Sequence, residues 1–253
     1  MSQDVQVSAG VLYICGTPIG NLKDVTYRLI EVLEHVDVVV CEDTRRTLKL
    51  LSHFGIAKKV ISVHQHVERE RTSNVCDLLS QGKSVAFVSD AGMPVVSDPG
   101  AYLVRTARER GYKIQLVPGP SSVSGALALS GFSGDKFVFG GFLPRKPKDR
   151  REFFRRWVWP GIAAVFFESP YRVKKSLKDL AEVFPACQIS LCHEMTKIHE
   201  SVIWGRVGAV LADLEGEALQ GEWVIVVFLP PDEDARHSAE ETNREMDRLP
   251  PSP

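Results

Sequence analysis

The chain predicts a two-domain α/β fold, a parallel-sheet N-terminal domain followed by a mixed-sheet C-terminal domain. Three observations predict it. Short β-branched runs alternate with helical patterns through the first half, as in a sheet covered on both faces by crossover helices. Gly- and Pro-rich loops follow several of those runs. After Gly131-Phe132-Ser133-Gly134-Asp135 the rhythm changes and some strands follow one another directly.

Taken in order, Val11 to Cys15 is a buried apolar strand. An amphipathic helix follows a Gly/Pro loop, with Tyr27, Ile30 and Leu33 recurring once per turn. Val36 to Val40 is the second strand, and Thr47 to Leu51 lies in a helix that stops near Gly55. Val60 to Val63 and Ser84 to Val88 are strands around a helix from about Glu68 to Leu79. Ala101 to Arg110 is helical, with Gly111 as its stop. Lys113 to Val117 is a strand, and Ser121 to Leu129 is a helix after a Pro-Gly-Pro turn. Beyond the linker, Phe137 to Phe139, Ala163 to Phe167, Gln188 to Cys192, Ser201 to Trp204 and Trp223 to Leu229 are strands. Arg172 to Val183 and Val207 to Leu214 are helices. The domains so expected are 1–134 and 135–230, with an acidic, Pro-ended and disordered tail over 231–253.

The 253 residues suffice for two cores, and 44% hydrophobic with 25% charged residues is ordinary for a globular chain. A formal net charge of -1 gives no global sign of a nucleic-acid partner, so any such binding needs a local basic patch. Five cysteines, an odd number, and a polar N-terminus point to a reducing cytoplasm.

Three loops carry the chemistry. Gly16-Thr17-Pro18-Ile19-Gly20-Asn21 follows the first strand but matches neither a dinucleotide nor a Walker pattern. Ser89 to Gly100 follows the fourth strand, with two carboxylates among Gly and Pro over twelve residues. A loop of that length is usually kept for binding. Asp90 is read as functional, accepting from an amino or hydroxyl group, and Asp98 as a cap of the next helix. Val117-Pro118-Gly119-Pro120-Ser121-Ser122 follows the fifth strand. In an open parallel sheet all three loops fall at one edge, where ligands bind.

GTPIGNLKDVTYRLIEVL, CEDTRRT, SDAGMPVVSDPG, PGPSSVSGALALSG, FFESPYRV, HEMTKIHE and GEWVIVV occur in this order. With them the chain resembles the tetrapyrrole methylase superfamily, the class III methyltransferase fold, and within it the branch that methylates ribosomal RNA. The resemblance implies a homodimer and S-adenosyl-L-methionine bound folded in a cleft. It also implies 2′-O-methylation of a cytidine near the decoding site of 16S ribosomal RNA. Carried over by position, Pro18 faces the cofactor, and Asp90, Ala91, Gly92 and Val95 cradle its methionine portion and ribose. Ser121 and Ser122 match small hydroxyl residues that touch it. Phe167 and Glu168 fall where the second domain closes, and Trp223 and Val224 where the late strand meets adenine. Tetrapyrrole-modifying relatives carry Gly-Asp-Pro where this chain has Ser89-Asp90-Ala91, a departure that marks the RNA branch.

Ribose methylation is an in-line attack by a hydroxyl, so orientation dominates and a base assists. Glu42 or Asp43 is the candidate base and Arg45 a candidate phosphate ligand. From Pro144 to Trp157 the chain holds seven basic and two acidic residues among aromatics. Arg145, Lys146, Lys148, Arg150, Arg151, Arg155 and Arg156 are therefore read as RNA-binding. Tyr171 and Arg172 are further candidates for RNA contact. Neither His193/His199 with Cys187 and Cys192 nor His64-Gln65-His66 has the spacing of a metal site. Competing readings are methylation of a small tetrapyrrole and a non-catalytic ribosome-assembly factor.

Overall fold

A computed structural model describes residues 7–63 and 68–231. The His64-Gln65-His66 motif and the tail from residue 232 lie outside the described residues.

The first sheet is built from β1 (Val11–Cys15), β2 (Val38–Cys41), β3 (Lys59–Ser62), β4 (Val85–Val88) and β5 (Lys113–Val117). Its order is β3-β2-β4-β1-β5, and every pairing is parallel. The crossovers include α1 (Tyr27–His35), α2 (Thr44–His53), α3 (Glu68–Ser80) and α4 (Ala101–Glu109). Strand alternation sends successive side chains to opposite faces. Tyr13, Cys15, Val39 and Ala86 pack with Leu29, Leu33, Leu50 and Leu51, whereas Leu12, Ile14, Val40 and Phe87 pack with Val75, Leu79, Leu103 and Ala107. Both faces are thus covered, which is why the strands read as continuous apolar runs.

The helical face of α1 differs from its sequence reading. Leu29, Val32 and Leu33 are buried, while Tyr27 is 90% exposed. Thr26 caps this helix, its Oγ1 accepting from the Leu29 N–H at 3.1 Å. Tyr27 therefore stands at the first helical position, two residues before the first buried one, Leu29.

The next elements are α5 (Ser122–Ser130), β6 (Phe137–Phe142), α6 (Pro147–Trp157), β7 (Ala163–Glu168) and α7 (Val173–Val183). They are followed by β8 (Gln188–His193), β9 (Ser201–Arg206), α8 (Val207–Asp213) and β10 (Trp223–Phe228). The second sheet runs β6-β7-β10-β8-β9. Only β6 and β7 pair in parallel, so the sheet is mixed. Phe154, Phe166, Leu177, Leu180, Ile189, Val210 and Ile225 form its core. By packing, the chain divides into one unit reaching Ser122, with Thr196–Ile198, and another over Val123–Met195 and from His199 onward.

Helix α6 was not anticipated as an element. Eleven residues that are mostly charged bury only Arg150 and Phe154, so the helical period has almost no apolar signal. Pro147 at its first turn is the local cue for its start.

Candidate functional site

Because all five strands of the first sheet are parallel, their carboxyl ends share one edge, and the loops found in the sequence meet there. Gly16 donates to Val117 O at 2.9 Å, and Thr17 and Gly92 exchange backbone bonds of 2.9 and 3.1 Å. Thr17 Oγ1 donates to Ser89 O at 3.2 Å, and Ser89 Oγ to Gly92 O at 2.9 Å. A Cβ on Gly16 would stand 2.7 Å from Gly119 N, and one on Gly119 would stand 2.6 Å from the Gly16 carbonyl carbon. Only two bare backbones fit there, which fixes the first and third loops against each other.

The long loop between β4 and α4 is strained as well as long. Val95 and Ser97 have φ of 76° and 64°, and Gly92 and Gly100 are also positive. A β-branched residue in the left-handed region costs on the order of 1–3 kcal/mol, and such outliers gather at ligand sites. Val95 is moreover 39% exposed, an apolar side chain held outward by its own backbone.

The carboxylates occupy different environments. Asp90 Oδ1 accepts from the Asp43 N–H at 3.0 Å, and its other oxygen lies 3.6 Å from Arg46 Nε. Asp43 caps α2, accepting from the Arg45 N–H at 2.8 Å and from the Arg45 guanidinium at 3.1 and 3.3 Å. Those bonds hold its pKa below the ordinary carboxylate range, which weakens it as a base. Glu42 is half-buried beside it.

Asp98 is the residue that the sequence reading missed. It does not cap α4: the position before that helix is Gly100, and no side chain caps it. Burial, then the charges of Glu42 and Asp90, push the Asp98 carboxyl up to about 6. The signal available in the sequence was the offset, since Pro99 and Gly100 separate Asp98 from the first helical residue.

In the second sheet the four residues expected at a cofactor prove to be cross-strand partners. Trp223 faces Glu168 and Val224 faces Phe167 in the β7–β10 register. Trp223 and Val224 are buried, and the indole stacks on His193 while donating to Gln220 O at 2.6 Å. Phe167 lies edge-on to Phe139 and Phe142. The Glu168 side chain is engaged within its own unit. Its carboxylate is buried, accepts from Ser169 N–H at 2.6 Å and Ser176 Oγ at 2.5 Å, and pairs with Arg172 at 2.6 Å. It anchors the start of α7, and Arg172 is taken up in the same network.

The basic segment also divides. Arg145, Lys146, Lys148, Arg155 and Arg156 are exposed. Arg150 is only 2% exposed, donates from Nε to Asp179 at 2.7 Å and pairs with the same carboxylate through its terminal nitrogen. It also holds Pro144 O and Arg145 O at 3.1 and 3.2 Å. Arg151, partly exposed, bridges Asp179 and Glu182. Both arginines join α6 to α7.

Comparison with known proteins agrees with this architecture. The family Tetrapyrrole (Corrin/Porphyrin) Methylases matches residues 11–211. A ribosomal RNA small subunit methyltransferase I of Neisseria meningitidis serogroup B is 43% identical over 91% of this chain and 79% of its own length. That of Thermotoga maritima is 42% identical over 86% and 98%, and that of Escherichia coli O157:H7 is 38% identical over 98% and 85%. Among solved structures, a uroporphyrin-III-C-methyltransferase from Thermus thermophilus superposes with a TM-score of 0.61 at 22% identity, covering 87% of this chain and 94% of that one. A diphthine synthase gives 0.65 at 16%, covering 86% and 89%. These two share the fold. The chain belongs to the tetrapyrrole methylase family and, within it, to the ribosomal RNA small subunit methyltransferases I.

Proposed function

We propose that this chain transfers the methyl group of S-adenosyl-L-methionine to the 2′-oxygen of a cytidine near the decoding site of 16S ribosomal RNA. The observation that carries the reading is the 43% identity, over 91% of the chain, to a ribosomal RNA small subunit methyltransferase I. The knitted loop edge of the first sheet supports it. Gly16 and Gly119 let the first and third loops close on each other, which fixes the loop backbones at that edge for a bound cofactor.

The cofactor supplies an activated methyl on a sulfonium, whose departure needs no acid. Pro18, Asp90, Ala91, Gly92 and Val95 bind its methionine and ribose portions, with Ser121 and Ser122 from the third loop. Asp90 remains able to accept from an amino or hydroxyl group, because a carboxylate offers about four lone-pair sites. Phe167, Trp223 and Val224 provide apolar surface for adenine. Arg145, Lys146, Lys148, Arg155 and Arg156 hold RNA phosphates, and Arg45 is a further phosphate ligand. The proton released by the 2′-hydroxyl passes to a carboxylate on the loop edge. Glu42 and Asp98 suit this better than Asp43, whose pairing with Arg45 lowers its basicity.

The enzyme works as a homodimer in the cytoplasm. Phe137 and Phe142 on edge strand β6, and Val202 and Trp204 on edge strand β9, are 42%, 60%, 39% and 56% exposed. Exposed apolar edges of this kind are usually covered by a partner. All five cysteines are free and buried, in keeping with a reducing compartment. Among the described residues no helix is long and apolar enough to cross a membrane.

The test is methyl transfer from labelled cofactor to small ribosomal subunits from cells lacking this protein, with the modified nucleotide mapped. Label on a cytidine 2′-oxygen is expected. Label on a base would keep a methyltransferase and discard the ribose, and cofactor binding without transfer to RNA would overturn the substrate.

A further inference from the structure

The second unit carries an open cavity of about 780 Å³, formed by the start of α7 and the 217–221 loop before β10. Its size lies within the range of roughly 300–1,000 Å³ that holds small ligands. Tyr171 stands at this cavity with 85% of its surface exposed. An aromatic ring left in water beside a cavity offers a face for stacking. Lys174 closes one wall, its Nζ donating to Glu217 O at 2.5 Å. That bond anchors the 217–221 loop to the helix and gives the cavity a fixed wall.

Lys175 lies on the same wall and is exposed. Lys178 follows it at helical spacing, so Lys175 and Lys178 share one face of α7, and Tyr171 stands in the turn two residues before that helix begins. Among the described residues neither lysine has a salt-bridge partner, unlike Arg150, Arg151 and Arg172 in the same unit. Glu217 is the single carboxylate among the cavity's lining residues. The pairing of Arg150 and Arg151 with Asp179 makes α7 the direct neighbour of α6, whose exposed cations already serve as phosphate ligands in the reading above.

From this geometry we infer that Tyr171, Lys175 and Lys178 form a second RNA subsite, in which an unstacked nucleotide lies in the cavity. Its base stacks on Tyr171 and its phosphates meet Lys175 and Lys178. A ring paired with mobile ammonium groups suits a nucleotide without selecting its sequence, since every base has a π-face. The subsite rests on the assignment of RNA as substrate and specifies where flanking nucleotides are held.

The experiment measures binding of a labelled single-stranded oligoribonucleotide of mixed sequence to the full chain, as a function of salt. Cofactor binding is followed by calorimetry in parallel. Tyr171→Ala should weaken RNA binding about tenfold, while Tyr171→Phe retains it. Lys175→Glu should lower affinity and flatten the salt dependence by about one ion or more. Cofactor affinity and thermal unfolding should not move in any of the three, because the altered side chains are exposed. Unchanged RNA affinity in both Tyr171→Ala and Lys175→Glu, with the wild type binding RNA and methylating subunits, overturns the subsite and leaves the enzymatic assignment standing. Polyglutamate that competes at the cavity while RNA does not would identify an acidic-peptide site and overturn it equally. A wild type that neither binds RNA nor methylates subunits would remove the substrate assignment, and the subsite with it.

Discussion

The backbone N–H of Asp43 donates to Oδ1 of Asp90 at 3.0 Å, tying the end of β2 to the long loop after β4. One carboxylate thereby serves two purposes. It fixes the spacing between two carboxyl-end loops, and its other oxygen faces Arg46 Nε at 3.6 Å.

Asp90→Ala should therefore lose cofactor affinity without unfolding the chain. A hydrogen bond to a charged group contributes about 1.5–3 kcal/mol, so binding of S-adenosyl-L-methionine should weaken by roughly tenfold to a hundredfold. Calorimetric titration checks this. Asp90→Asn should retain part of the affinity, since an amide oxygen still accepts from Asp43. Unchanged affinity in the alanine variant would place the cofactor elsewhere.

Asp98 makes a prediction in pH. Its carboxyl lies at about 6 when folded, against 3.8 ordinarily, because of burial and the nearby Glu42 and Asp90. Between those two values the folded chain holds a proton that the unfolded chain has released. Its contribution to stability is thus fully present below the lower value and lost as pH rises through the upper one. Asp98→Asn should remove that slope and stabilise the neutral-pH protein. Asp98 is only half-buried, so solvent screening brings the gain down to about 1 kcal/mol. Denaturant titrations on both sides of pH 6 measure it. Methyl transfer should respond oppositely: if Asp98 accepts the proton, the wild-type rate rises through this range and the asparagine variant is slow throughout.

Much of the fold was legible because a parallel sheet covered on both faces must write its strands as apolar runs. Val38 to Cys41 and Val85 to Val88, buried at every position, are the clearest cases. What stayed hidden depends on partners that spacing does not reveal. Asp98 resembled a cap because capping residues are common before helices, yet the left-handed turn at Gly100 takes that position. The buried network of Glu168 was hidden too, because Ser176 of the next helix and Arg172 at its cap reach back to it. Helix α6 escaped notice because one of its two buried residues is an arginine.

The exposed cations of α6 give a prediction separable from the fold. Lys148→Glu with Arg155→Glu should weaken RNA binding and reduce its salt dependence by about two ions or more. Neither side chain is buried, so the thermal midpoint should stay near that of the wild type. Cofactor affinity should also be unchanged. Gel-shift titrations at several salt concentrations supply the slope. A parallel fall in stability would show that these two positions are structural.

Arg150 should behave in the reverse way, although it stands in the same basic segment. Its guanidinium, buried with Asp179, holds two backbone carbonyls as well as the carboxylate. Arg150→Met leaves Asp179 facing only Arg151, which approaches from the solvent side with its side chain 32% exposed. Removing one partner of a buried pair costs about 3–5 kcal/mol, and the remaining arginine places this case toward the lower end. Chemical denaturation should show that loss. The intrinsic affinity of the remaining folded protein for RNA should change little. Adding Asp179→Leu to Arg150→Met should restore much of the stability, because two apolar side chains replace a pair whose desolvation opposed folding. Recovery in the double variant separates a buried ion pair from an RNA contact, since a lost phosphate ligand could not be restored by altering Asp179.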